Sequence, residues 1–102
     1  RLDVFATPAM VAMMEEAAHT SVEAELEEGQ GTVGTSMTVS HLAATPVGME
    51  VTCESELVEV DGRKLVFEIK AMDEAGLIGE ARHERFIIEN EKFLAKTNAK
   101  LK

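Results

Sequence analysis

The 102-residue sequence has no tryptophan, no tyrosine and only four phenylalanines, so aromatics make up 4% of it. Its core must therefore come mainly from methionine, valine, leucine, isoleucine and alanine. A single cysteine, Cys53, excludes an internal disulfide, and the cytoplasm is the expected compartment. No apolar run approaches the roughly 20 residues of a membrane-spanning helix, and no segment has the layout of a signal peptide. Basic residues are scarce: 10 Lys and Arg stand against 19 Asp and Glu, a formal net charge of −9. That field repels nucleic-acid phosphates and anionic membranes, and no basic run offsets it. Three scattered histidines and one cysteine match no metal-ligand spacing, so neither a metal nor another cofactor is expected.

What is there is the composition of a globular domain, 45% hydrophobic and 28% charged, which argues against disorder. The length allows one domain, residues 1–102. A chain this short buries a small fraction of its surface alone, so association with further copies is expected.

After a short extended segment over Arg1–Ala6, Thr7-Pro8 predicts a helix start. Thr7 suits the N-cap, and Pro in the first turn wastes no N–H. No Gly or Pro follows until Gly29, so the helix is predicted over Pro8–Glu28, about 30 Å long. On a helical wheel Met10, Met13, Met14, Ala17 and Ser21 share a broad arc, which Val11, Ala18, Val22 and Leu26 extend. Glu16, Glu23 and Glu27 gather on a polar face. Glu15 interrupts the stripe formed by Val11, Ala18, Val22 and Leu26.

Beyond Gly31 the period changes to two. Thr32–Leu42 alternates, with Val33, Thr35, Met37, Val39 and His41 predicted on one face. Thr45-Pro46 and Gly48 mark a turn. In Met49–Val60 one face carries Met49, Val51, Cys53, Ser55 and Leu57, with glutamates and Thr52 opposite. Asp61-Gly62 predicts a tight hairpin. Leu65, Phe67, Ile69 and Ala71 line the next strand, and Leu77–Ile88 is the last. Lys92, Lys96 and Lys100 recur every four residues, the spacing of a short solvated helix. The fold class is therefore α+β: one long helix covered by a curved antiparallel sheet with open edges.

Several polar residues sit where chemistry is plausible, each beside a plainer structural role. Thr7 is a cap or a hydroxyl at the positive end of a helix. Glu15 is either the i+4 partner of His19 or a base or nucleophile set among apolar residues. Glu16 is a solvated face residue. His41 faces the helix as a core histidine or an acid/base group. His83 and Arg85 share a face with Ala81 and Ile87 and form a buried or interfacial polar pair. Cys53, without a neighbouring base, is an apolar filler.

Taken together, these residues stand in a pattern. Val4-Phe5-Ala6-Thr7-Pro8-Ala9-Met10-Val11 with Met14-Glu15, Gly29-Gln30-Gly31-Thr32-Val33-Gly34-Thr35, Val39-Ser40-His41-Leu42-Ala43-Ala44-Thr45-Pro46 and Gly79-Glu80-Ala81-Arg82-His83-Glu84-Arg85 resemble the hot-dog-fold acyl-CoA thioesterases of the fluoroacetyl-CoA thioesterase family. The likeness spans about the whole chain, with the Thr, Glu and His positions matched without gaps. It implies a hot-dog fold, an acyl-CoA substrate and hydrolysis of its thioester. Thr7, Glu15 and His41 fall on the catalytic positions, and Gly34 and Arg85 on substrate-site positions. His41 would be the acid/base, with either Thr7 or Glu15 attacking. It further implies an N-terminal strand, absent here, ahead of Arg1. That family carries aromatic gate residues just upstream of the Val-Phe-Ala-Thr segment, where this sequence has Arg1-Leu2-Asp3, so the resemblance extends to a small acyl group and leaves open whether it is fluorinated.

On a single helix Glu15 lies about 12 Å beyond Thr7, so a joint site needs both from different subunits of a homodimer or dimer of dimers. Arg82, Arg85 and the tail lysines are the expected partners of CoA phosphates. The competing readings are a non-catalytic hot-dog module that binds acyl-CoA or another small ligand, and an acyl-thioester dehydratase on the same fold.

Overall fold

Thr7-Pro8 opens the helix, but with a different cap from the one its residue types suggest. In the computed structural model, which describes residues 6–101, α1 spans Thr7–Glu23. The N-cap is Ala6, whose extended backbone turns its carbonyl to the amides of Ala9 and Met10 at 3.0 and 3.1 Å. Thr7 is already helical and makes no capping bond, which leaves its hydroxyl free for another partner. The extended segment expected over residues 1–5 lies outside the described residues.

The helix stops at Glu23, five residues short of the expected Glu28. Glu23, Glu25, Glu27 and Glu28 crowd this end, and no basic residue stands in the last turn. Negative charge beside the exposed carbonyls of a helix C-terminus is unfavourable. Gly29, at φ +84°, instead closes the turn that leads into the sheet.

Four strands follow: β1 (Gln30–His41), β2 (Thr52–Asp61), β3 (Lys64–Asp73) and β4 (Gly76–Glu89). All pair antiparallel in the order β1-β4-β3-β2, so β1 and β2 are the sheet's edges. Asp61-Gly62 makes the expected hairpin, with Gly62 at φ +61° opening a two-residue loop. The lysine-spaced tail is helical as α2, Asn90–Asn98, followed by a 3-10 turn at Ala99–Leu101. Among the described residues no helix is long and apolar enough to cross a membrane.

Met10, Met14, Ala18 and Val22, four residues apart, form the buried stripe of α1. They pack on Leu65, Phe67, Ile69 and Ala71 of β3 and on Ile78 and Ala81 of β4. Each large side chain so buried contributes about 1.5–3 kcal/mol. The broader arc predicted for the helix is covered only in part, because Met13 and Ala17 are half-exposed.

The alternation predicted for β1 breaks in the middle. Gly34 pairs with Arg85, whereas Ser36 pairs with Glu84, so Thr35 is an extra residue bulged out of register. Directly paired residues share a face. Before the bulge Thr32 and Gly34 therefore face α1; after it Met37, Val39 and His41 do. Val33 and Thr35, expected on that face, belong to the other one. The bulge thus brings Gly34 and His41 to the same side of the sheet despite their opposite parity.

Candidate active site

The first turn of α1 is pressed onto the far end of β1. Gly79 of β4 is the register partner of His41 and lies under Met10: a Cβ there would sit 2.6 Å from the Met10 sulfur and 3.2 Å from the Ser40 carbonyl oxygen. This close approach, which a side chain at position 79 would crowd, accompanies the packing of the first turn of α1 onto the strand. Thr7 Oγ1 is 2.7 Å from His41 Nδ1. The other ring nitrogen of His41, Nε2, is enclosed and has no partner among the described residues. A hydroxyl donating to an imidazole nitrogen is the pairing a nucleophile or water-positioning group needs.

Two turns along α1 a second cluster forms. Glu15 Oε2 lies 3.9 Å from Arg85 Nη1, beyond hydrogen-bond length but within electrostatic reach. The i+4 pairing with His19 is not made among the described residues; the partner is Arg85, supplied by β4. Nor does the apolar stripe enclose Glu15, whose side chain is 48% exposed in the single chain. Arg85 is only 7% exposed. Burial pulls its guanidinium below its ordinary pKa, while the charge of Glu15 acts the other way.

Gly34 completes this cluster by lacking a side chain. A Cβ on it would meet His83 Cε1 at 3.1 Å, Glu15 Oε2 at 3.3 Å and Arg85 Nη1 at 3.4 Å. The glycine keeps a gap at the point where acid, guanidinium and imidazole converge. His83 and Arg85 are the buried polar pair that the β4 pattern predicts. The bond between His83 and the Ser36 carbonyl lies across the bulge and has no signature in β1.

Within one chain, then, Thr7 and His41 form one group and Glu15, Gly34 and Arg85 another. Eight residues of continuous helix separate Thr7 from Glu15, about 12 Å along the axis. Of the remaining candidates, Arg82 is on the outer face of the sheet and pairs with Glu68 at 3.9 Å, away from both groups. Lys92, Lys96 and Lys100 are exposed on the tail. Cys53 is half-buried against the core, and burial pushes its thiol pKa up, as a filler rather than a nucleophile requires.

A long helix laid across one face of an antiparallel sheet is the architecture of the hot-dog class. A hot-dog-like protein from Thermanaerovibrio acidaminovorans has this fold, with a TM-score of 0.93 at 24% identity over 98% of this chain and 74% of that one. The sequence narrows the class to a family. The family described as fluoroacetyl-CoA-specific thioesterase matches residues 1–91. The fluoroacetyl-CoA thioesterase of Streptantibioticus cattleyicolor is 45% identical over 98 residues, which cover 96% of this chain and 70% of that one. A solved structure of the fluoroacetyl-CoA thioesterase FlK gives a TM-score of 0.94 at 44% identity, covering 98% of this chain and 74% of that one. The chain belongs to the fluoroacetyl-CoA-specific thioesterase family, as the Thr7, Glu15 and His41 pattern predicts.

Proposed function

We propose that this protein is a cytoplasmic hydrolase that cleaves the thioester of a small acyl-CoA, with Thr7, Glu15 and His41 as catalytic residues and Gly34 and Arg85 at the substrate. The observation that carries the reading is the 2.7 Å contact between the Thr7 hydroxyl and His41 Nδ1, beside an enclosed Nε2 that has no partner among the described residues. Family membership supplies the substrate class.

The reaction adds one water across the C–S bond and yields a carboxylic acid and CoA thiol. Where a hydroxyl or water attacks the carbonyl carbon, His41 takes its proton and gives it to the departing thiolate. Thr7 reaches His41 directly and stands at the positive end of α1, where negative charge on oxygen is stabilised. Glu15 carries the competing nucleophile, a carboxylate. The two are separable: attack by Thr7 leaves an acyl ester on its hydroxyl and attack by Glu15 a mixed anhydride on its carboxylate, each with release of the thiolate, and rapid quenching of a single turnover with labelled acyl group shows which residue carries it. Gly34 leaves the gap in which a small acyl group can approach Arg85.

The same reading makes the protein a homodimer or a dimer of dimers. Each chain holds two half-sites too far apart to act together, and the half-exposed Met13 and Ala17 leave part of the helix face for a partner. The lysines of α2 supply positive charge for CoA phosphates against a net charge of −9.

Thiol release from a panel of short acyl-CoAs tests the reading. We expect turnover of at least one small acyl-CoA, reduced by Thr7→Val and by His41→Ala. Tight binding of acyl-CoA without thiol release would instead identify a binding module.

A further inference from the structure

We propose that His83 is a positioning residue that sets the direction in which Arg85 presents its free N–H to the substrate; the inference rests on the reading of Arg85 as a substrate-site residue. His83 is 1% exposed and turns no more than the edge of its ring to the Gly34 gap. Its importance is in what it holds.

Arg85 is anchored through three N–H groups. Nε donates to Thr32 Oγ1 at 2.8 Å, Nη2 to the Thr32 carbonyl at 2.9 Å, and Nη1 to His83 Nε2 at 3.2 Å. The first two bonds end on one residue and form a hinge along one edge of the guanidinium. The third is offset from that edge and stops rotation about it. Nη1 is also the nitrogen nearest Glu15 and the Gly34 gap. With one of its hydrogens held by His83, the other is left to point into the site.

This works only if His83 accepts on Nε2, and its surroundings require that. His83 Nδ1 is 2.8 Å from the carbonyl oxygen of Ser36, which can only accept. The ring proton is therefore on Nδ1, and Nε2 has its lone pair turned to Arg85. The Phe67 ring, tilted by 34° with its centroid 6.3 Å away, packs beside the imidazole. Thr32 lies in the regular stretch of β1 before the bulge and Ser36 just beyond Thr35, so one strand provides both anchors, one for Arg85 and one for His83, from either side of its irregularity. Bulges re-aim side chains next to functional sites, and here the strand does so through a histidine on its neighbour.

The experiment is a double-mutant cycle read in single turnover with enzyme in excess, so that weak activity is measurable. His83→Phe keeps a ring and removes the acceptor. A misdirected contact at a reacting centre costs up to about 100-fold, and we expect roughly a 10- to 100-fold fall in the single-turnover rate constant at saturating enzyme, with the half-saturating enzyme concentration little changed. His83→Gln places an amide oxygen near the Nε2 position and should recover most of the rate. His83→Asn, equally polar, reaches Ser36 but not Arg85 and should not. In an Arg85→Met background, His83→Phe should cause no further loss, because neighbours acting through one contact are non-additive. If Arg85→Met keeps full activity, the reading of Arg85 fails. If Arg85→Met is impaired but His83→Phe is not, that reading stands and the positioning role is overturned. Equal losses from His83→Phe in both backgrounds, or equal rates for the Gln and Asn variants, would also overturn it. The Gln and Asn comparison decides the matter even where the Phe variant fails to fold.

Discussion

Glu15 and Glu16 are chain neighbours of identical chemistry placed in different surroundings. A residue step of about 100° turns Glu15 toward Arg85 and the Gly34 gap, while Glu16 keeps to the polar side of α1. Glu15→Gln preserves shape and removes the charge. It should lower kcat by roughly 100- to 10,000-fold, the span of a lost acid/base or nucleophilic group. Glu16→Gln should change it by less than about twofold. Steady-state assays on both variants check this, and full activity in both would end the assignment of Glu15. The position of Glu15 was legible because a carboxylate broke an apolar stripe. Its partner was not, since Arg85 reaches it only through the sheet. A helical pattern offers His19 at i+4 and gives no sign of β4.

At the scale of elements, alternation makes Leu65, Phe67, Ile69 and Ala71 legible as an inner face, and all four are buried. Alternation cannot reveal where it slips. Thr35 is a normal strand residue, so the bulge that turns Gly34 inward leaves no compositional trace. Thr7 misleads for a related reason: its type favours capping, but the contact with His41, formed only when α1 docks on Gly79, takes its hydroxyl. The turn between β3 and β4 shows the converse, a local signal with a long-range use. Asp73 accepts from the amides of Ala75 and Gly76 and from Thr45 Oγ1 at 2.8, 3.1 and 2.8 Å, tying the loop after His41 to the hairpin. These bonds favour the carboxylate and hold the Asp73 pKa below its ordinary value. A depressed folded-state pKa contributes stability that is present above the unfolded value, near 3.9, and is lost as pH falls through the folded one. Asp73→Asn should therefore lower Tm at neutral pH, and the gap from the parent protein should close below about pH 4. Thermal melts of both proteins from pH 3 to 8 measure it; a gap independent of pH would assign the effect to shape rather than charge.

At the scale of the whole molecule, the proposed joint site of Thr7, Glu15 and His41 needs two chains. Thr7 meets His41 at the start of α1, and Glu15 meets Arg85 and Gly34 about 12 Å further along. An antiparallel partner helix across a twofold axis would bring the Glu15 group of one chain to the Thr7–His41 group of the other, making two equivalent composite sites. Isologous contact has this property: whatever residue i gives to j, the partner returns. The arrangement also fits the size of the chain, whose one long helix, short tail helix and four strands among the described residues bury little surface alone. Light scattering should accordingly give at least twice the mass of one chain for the folded protein. Activity offers a sharper test. Thr7→Val and Glu15→Gln each disable both sites of a homodimer. A mixed dimer of the two variants places both lesions in one site and leaves the other intact. Mixing the inactive variants under conditions of subunit exchange should therefore restore activity, approaching a quarter of the parent rate when exchange is random: half the dimers are mixed, and half of their sites are whole. Exchange is monitored separately by energy transfer between labelled chains. A mixture that stays inactive after exchange is complete would show that each chain carries its own site, and Thr7 and Glu15 would then belong to different functions.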